Sequence, residues 1–273
     1  MSVTYTAVLP VGDHTVLYVS SLLHAQRRRL GTRAGTRSLS CYREAILVLR
    51  RLLDGTRIAQ LAADNVISRS TGYTYLHEGL TLIAERAPSL NSALLAAKTA
   101  GYSHVTLDGT VIETDRCRTP GPTPGVDLWW SGKHDNHGGN VQVITAPDGW
   151  PLWTSPVRPG HEHDTTALRH HDILPLLTAW TDDPLRVLGD LGYEGERATI
   201  TVAFKKPKNR ACTHVEQHFN RAHNAVRAIG ERGNSLLKTT LKALRNVSIC
   251  PWTISRITAA ALVILHIEHG RTT

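Results

Sequence analysis

Residues 185–193 read LRVLGDLGY, and the reading of this stretch decides the fold. A short apolar run containing Val187 and Leu188 is closed by Gly189 and followed at once by a carboxylate, Asp190, the pattern of a buried strand that ends at the edge of a sheet. Residues 104–110, HVTLDGT, repeat the arrangement, with Val105 and Leu107 ahead of Asp108. Around these two anchors the spacing predicts strands at 106–108 with its neighbours, 141–145, 152–155, 185–188 and 200–204, and a helix over 164–180. Three strands, a helix and further strands describe a mixed α/β sheet layered with helices. Residues 114–139 interrupt the series with an insertion too rich in Pro and Gly to stay regular for long.

The third notable carboxylate, Glu231, lies in residues 226–238, VRAIGERGNSLLK, within a long helical pattern over 213–242. Val215, Phe219, Ala222, Val226, Ile229, Leu236 and Leu237 fall on one face, which predicts the buried side; Asn220, Asn224, Arg227, Glu231 and Lys238 fall roughly opposite. Gly230 and Gly233 bracket the glutamate at a cost of about 1 kcal/mol each relative to Ala, so another group is expected to approach closely there. Two carboxylates at strand ends and one on a helix can converge on a point and hold divalent cations against a phosphodiester. Arg227 and Lys238 flank Glu231, an arrangement suited to phosphate oxygens.

The net charge of +8 is unevenly spread: residues 1–100 carry 12 Lys and Arg against 6 Asp and Glu, residues 101–200 carry 7 against 14, and residues 201–273 carry 12 against 3. Basic flanks around an acidic centre suit an enzyme that grips a polyanion at its edges and keeps metal-binding carboxylates at the cutting point. The four cysteines, Cys41, Cys117, Cys212 and Cys250, form no C-x-x-C pair and signal neither a zinc knuckle nor a disulfide framework. The basic cluster Arg27–Arg29 follows the first apolar stretch, the wrong order for a signal peptide, and the longest apolar run, residues 259–265, is too short to span a bilayer. A cytoplasmic, nucleoid-associated protein without membrane contact is expected.

Residues 38–55 carry a helical apolar stripe at 39, 42, 46, 49, 52 and 53, with Ser38 as the expected N-cap and Gly55 as the stop. A short helix in residues 56–64 and a third, capped by Ser68, complete the shape of a helix-turn-helix, whose third helix would present Arg69, Ser70, Thr71, Tyr73 and Thr74 to the major groove. The chain thus divides into an N-terminal arm over 1–36, a helix-turn-helix domain over 37–100 and a catalytic α/β domain over 101–273.

Competing constellations are weaker. His134, His137, His161, His163, His170 and His171 match no zinc spacing. The pair His163 and Asp164 lacks the helical His/Asp partners of a phosphohydrolase, and Asp164, ahead of two threonines, reads as an N-cap. Lys205, Lys206 and Lys208 suit either phosphate contact or a solvated loop. Glu194 and Glu196 lie too close to Asp190 to be independent ligands, and Glu216 lies off the Arg227/Lys238 stripe.

The motifs LDGT around Asp108, WWSGKHDNHGGNVQV over 129–143, RPGHEHD over 158–164, GDLGYEG over 189–195, FKKPKN over 204–209 and VRAIGERGNSLLK together resemble the DDE-type transposases of bacterial insertion sequences, closest to the IS five group. Asp190-Leu191-Gly192-Tyr193 matches the family's D-x-G-Y form, and Arg227, Glu231 and Lys238 match its R-(3)-E-(6)-K pattern. Asn224 departs from it, standing where the family usually has Tyr. The resemblance implies an RNase H-like fold and a catalytic, metal-binding triad of Asp108, Asp190 and Glu231 holding two Mg²⁺ or Mn²⁺ ions. It further implies double-stranded DNA as partner, both element ends and target, and a homo-oligomer in the active complex. The alternatives are a relic that binds DNA without cutting it and a nuclease without strand transfer.

Overall fold

The computed structural model describes residues 8–180 and 185–273. Five helices come first: α1 (Asp13–Arg29), α2 (Cys41–Asp54), α3 (Ile58–Asp64), α4 (Arg69–Ala84) and α5 (Leu90–Thr99). The segment expected as an arm contributes α1, whose Val16, Val19 and Leu23 are buried against α2 and α4. The cap of α2 is Ser40, which accepts from Arg43 N at 3.3 Å, rather than Ser38. The shift follows from Leu39, which is buried and needs an extended backbone ahead of the helix to reach the core. Gly55 ends α2 in the left-handed conformation at φ 69°, as its lack of a Cβ allows. The turn from α3 to α4 passes through Val66 at φ 53°, and Ser68 caps α4 as expected, accepting from Thr71 N at 3.1 Å.

The sheet is built from β1 (His104–Glu113), β2 (Trp130–Ser131), β3 (Asn136–Thr145), β4 (Pro151–Thr154), β5 (Arg158–Pro159), β6 (Arg186–Leu188) and β7 (Ile200–Thr201). Its main path runs β2-β3-β1-β6-β7, with β4 and β5 also paired to β3. β1 is antiparallel to β3 and parallel to β6, and β6 is parallel to β7, giving the mixed RNase H-like sheet with flanking helices. β3 begins at Asn136 rather than 141, and β2 lies inside the insertion, because residues 137–141 extend the ladder with β1. The final strand is shorter than expected, ending at Thr201. The helix expected over 164–180 is two, α6 (Asp164–His170) and α7 (Ile173–Trp180), separated at Asp172 by a left-handed φ of 48°.

Two C-terminal helices complete the fold: α8 (His214–Thr240) and α9 (Ile254–Glu268). α8 opens on a capping box, Thr213 accepting from Glu216 N while Glu216 accepts from Thr213 N. Its expected buried face holds at Leu237, which is buried, and is corrected at Val215 and Phe219, which are 78% and 37% exposed; His223, Gly230 and Gly233 are buried as well. The close approach to the sheet is made at the glycines, beside Thr106 and Thr145, and the first turns of the helix lie beyond it. α9 buries residues 260–265 of its apolar run, packed against α4 and β4. Its Glu268 accepts from Gly12 N at 2.9 Å and Thr15 Oγ1 at 2.6 Å, closing the start of α1. Among the described residues, no helix is long and apolar enough to cross a membrane.

Candidate active site

From residue 107 to 113 β1 has β3 on one side and no paired strand on the other, since β6 stops pairing at Thr106. Asp108 sits half-buried at the start of this open edge. Asp190 follows β6 on the neighbouring strand and folds back on its own chain, its Oδ1 accepting from Gly192 N at 2.8 Å. The loop just before it is pinned by His223 of α8, whose Nε2–H donates to the Gly189 carbonyl at 2.9 Å. Asn220 of α8 clamps the backbone beyond β7, donating to Phe204 O at 2.9 Å and accepting from Phe204 N at 2.7 Å. Neither His223 nor Asn220 was singled out from sequence as an anchor of this loop. Their one signal was helical spacing on the side that carries Gly230.

α8 brings the third carboxylate. A Cβ on Gly230 would lie 2.7 Å from Thr106 Cβ, and one on Gly233 would lie 2.7 Å from the Gly149 carbonyl. The two glycines therefore admit the sheet itself, and Glu231 rides beside this contact. The Glu231 carboxylate is exposed and paired with Arg227 at 2.8 Å. One turn further on, Asn234 Nδ2 donates to Asp108 Oδ2 at 2.8 Å, while Asn234 Oδ1 is buried without a partner. Lys238 Nζ donates to the Val111 carbonyl at 2.8 Å, on the open edge of β1. Burial holds the Lys238 ammonium below its ordinary range, against the pull of Glu113 and Asp108. The Asp108 carboxyl is pushed up to about 6 by burial first, then by the charge of Asp190; Arg227 opposes this, and Glu231 and Asp164 add to it. Asp190 and Glu231 are thus within electrostatic reach of Asp108.

Asp164 joins them and corrects the sequence reading. The N-cap of α6 is His163, and Asp164 is the first residue of the helix, its side chain turned to the sheet. Its Oδ1 accepts from Asn140 Nδ2 at 2.8 Å and lies 3.4 Å from Gln142 Nε2; its Oδ2 lies 3.6 Å from Lys133 Nζ. Gln142 in turn donates to Asn140 Oδ1 at 2.9 Å and accepts from the hydroxyl of Tyr193. Tyr193, fully buried three residues past Asp190, keeps its proton firmly, held well above the ordinary range by burial and then by Asp164, Asp108 and Asp190. Polar residues at 140 and 142, within a run of apolar strand residues, were the available signal for this network.

The other carboxylates are engaged elsewhere: Glu194 with Lys205 at 3.1 Å, Glu196 with Arg169 at 2.5 Å, Glu216 with Arg210 at 2.7 Å. On the first turns of α4, remote in sequence from the carboxylates, Arg69, Ser70 and Thr74 are exposed and Thr71 and Tyr73 half-buried. Asn224 is exposed on α8. No group of three His, Cys, Asp or Glu side chains among the described residues is disposed to hold a metal ion as it stands. Glu231 is turned to Arg227 and Asp190 to Gly192, so the three carboxylates are not gathered on one point.

One carboxylate inside β1, a second just past the parallel neighbour β6 and a third on the helix packed over them lie on one side of a mixed α/β sheet. The family model described as DDE superfamily endonuclease matches residues 107–266, more than half of the chain, and the protein belongs to that family. No curated protein matches it. Among solved structures it is similar to the Mos1 transposase paired-end complex with left transposon end, at 12% identity and TM-score 0.23, covering 90% of this chain and 85% of that one. It is also similar to the Mos1 strand transfer complex, at 10% identity and TM-score 0.22, covering 97% and 96%. TM-scores this low leave the fold assignment to the strand topology itself.

Proposed function

We propose that this chain is the transposase of an insertion sequence. In this reading residues 37–100 bind the element's ends, residues 101–273 hydrolyse and rejoin DNA strands at Asp108, Asp190 and Glu231, and the active complex is a homo-oligomer on paired ends. The observation that carries the reading is the Asp108 carboxyl, pushed up to about 6 partly by the negative charges of Asp190 and Glu231. Mutual repulsion of this kind is relieved by a divalent cation, and an all-oxygen carboxylate donor set fits Mg²⁺ or Mn²⁺. Bound there, two such ions supply activation of the attacking water or 3′-hydroxyl and stabilisation of the leaving oxygen.

The chain's own residues do the rest. Asp108 is held toward the site by the Asn234 amide, and Asp190 by the turn that His223 pins. Glu231, paired with Arg227 in this structure, would help hold a metal ion once released from it, and the Arg227 guanidinium would then be available to phosphate oxygens. Lys238, anchored on the Val111 carbonyl, keeps a positive charge beside Asp108 and fixes the open edge of β1 against α8. On α4, exposed Arg69 and the hydroxyls of Ser70 and Thr74 suit backbone and base-edge contacts in a major groove.

The test is a reaction of the purified protein with DNA carrying the element's ends, in Mg²⁺ or Mn²⁺, beside the Asp108→Ala variant. The expected result is cleavage and joining by wild type and neither by the variant. Binding without cleavage by wild type would make the protein a relic, and cleavage that survives in Asp108→Ala would place the site elsewhere.

A further inference from the structure

Residues 24–43 carry six arginines and no acidic residue. This segment, the end of α1 and the loop into α2, walls a cavity of about 440 Å³ lined by Arg27, Arg28, Arg33 and Arg37 together with His24. We propose that the cavity grips one backbone phosphate of the DNA duplex whose major groove α4 enters. The inference rests on the DNA-binding part of the reading above and extends it into residues 24–36.

Two of the four arginines serve the fold. Arg27 is paired with the buried Glu44 and donates to the Leu39 carbonyl at 3.0 Å, while Arg37 is paired with Glu78 of α4 and lies over the Tyr75 ring at 5.2 Å. Arg28 and Arg33 differ: both are exposed, and neither guanidinium has a hydrogen-bond or ion-pair partner among the described residues. The cavity therefore presents two uncompensated positive charges on a wall that two ion pairs anchor, and guanidinium forks match the oxygens of a phosphate. Arg33 is positioned by its own turn, in which Thr36 Oγ1 donates to the Arg33 carbonyl at 2.8 Å and Gly35 takes a φ of 77°.

The place of the cavity on the fold selects the partner. Ser70, Thr74 and Glu78 follow one another at four-residue spacing and so share one face of α4. Ser70 and Thr74 are exposed on that face, and Glu78 holds the arginine loop. From Ser70 to Glu78 the helix rises about 12 Å, about the width of a major groove. With its first turns in the groove, α4 sets the loop at the groove's lip, where the sugar-phosphate backbone runs. A free polyphosphate would satisfy the same arginines, but their seat beside the groove-facing stripe favours DNA.

The experiment uses the full chain and a duplex of the element's end in which each phosphate in turn is replaced by an uncharged methylphosphonate. One such linkage is expected to weaken wild-type binding about tenfold, the loss of a charge-assisted contact. The double variant Arg28→Ala/Arg33→Ala should bind the intact duplex about tenfold more weakly, with a slope of log affinity against log salt lower by about 1. It should also be indifferent to that one linkage while responding like wild type to the others, a readout that a misfolded variant does not give. Inorganic triphosphate, titrated alone, tests the other source of the same chemistry. Wild type that binds the duplex with no linkage to which the double variant has become indifferent, or a double variant that binds within twofold of wild type, overturns the phosphate grip and leaves the transposase reading standing. Triphosphate bound tightly by wild type and lost in a double variant whose DNA affinity is unchanged overturns it too, and assigns the cavity to a free polyphosphate. Wild type that does not bind the duplex removes both.

Discussion

Replacing Asp108 by Asn is expected to stabilise the metal-free protein while abolishing its chemistry. The Asp108 carboxyl is raised from 3.8 to about 6 because burial and the nearby Asp190 charge penalise its ionised form. At about 1.4 kcal/mol per tenfold, that difference sets a ceiling of about 3 kcal/mol on the destabilisation the ionised group causes. Water reaches the half-buried carboxyl, and screening lowers the figure to about 1–2 kcal/mol. The carboxamide still offers an oxygen to Asn234 Nδ2, so the existing hydrogen bond survives. For a chain of this size about 2–4 °C accompanies each kcal/mol, giving a rise in Tm of about 2–8 °C. The pH dependence follows from the sign of the shift. A carboxyl raised in the folded state imposes no penalty below its unfolded value near 3.8 and the full penalty above about 6, so stability is lost as pH rises between them. The gain from Asp108→Asn should therefore be complete at pH 8 and mostly gone at pH 4.5. Differential scanning fluorimetry at both pH values, without and with Mg²⁺, measures this; the added ion should raise the wild-type Tm and leave the variant nearly unmoved. A variant no more stable than wild type at pH 8, or equally stabilised at both pH values, refutes the electrostatic account of the site.

Three further outcomes are expected. Tyr193→Phe strands the Gln142 carbonyl oxygen in the interior and should cost about 1–3 kcal/mol by chemical denaturation, with slower cleavage because the turn carrying Asp190 loses its tie to Asp164. Gly230→Ala gains about 1 kcal/mol of helix propensity but drives a methyl to 2.7 Å from Thr106 Cβ. The overpacking cost of about 1–3 kcal/mol should win, lowering both Tm and cleavage rate. Arg69→Ala, at an exposed position on α4, should leave Tm within about 1 °C, weaken DNA binding and reduce the slope of log affinity against log salt by about 1 in a titration.

The end of β6 was readable because a short apolar run stopped by glycine and a carboxylate has few other meanings, and Asp190 follows that strand; the same logic misplaced Asp108, which lies inside β1, where the ladder with β3 carries the strand on to Glu113. Ser68 was equally legible, since a hydroxyl before a helix has one local task. The orientation of α8 was not. Apolar residues usually mark the buried side of a helix, and Leu237 obeys; what was hidden is that the two missing side chains at 230 and 233 let α8 come up to Thr106 and Thr145, while Val215 and Phe219, on its first turns, stay outside. Asp164 was misread for a related reason. Its position at a helix start is local and visible, whereas its partners Asn140 and Gln142 come from a strand more than 20 residues away. The role of α1 was hidden too, because its core contacts, and the Glu268 that closes its first turn, are supplied by segments far along the chain.

The burial of α9 between α4 and β4 has a mechanical consequence. The helix that would read DNA and the β4 edge of the sheet lean on one shared rod, further tied by Arg256 to Thr81 at 3.3 Å and by His266 to the Pro151 carbonyl at 2.7 Å. In a protein whose reading head hung on a slack tether, a base pair inserted between the recognised sequence and the cut would be absorbed. On the proposed reading the molecule would act as a caliper with fixed jaws: each inserted pair advances the duplex by about 3.4 Å and turns it by roughly a tenth of a revolution. The cut should then move along the DNA with the recognised sequence, keeping its offset, or fail.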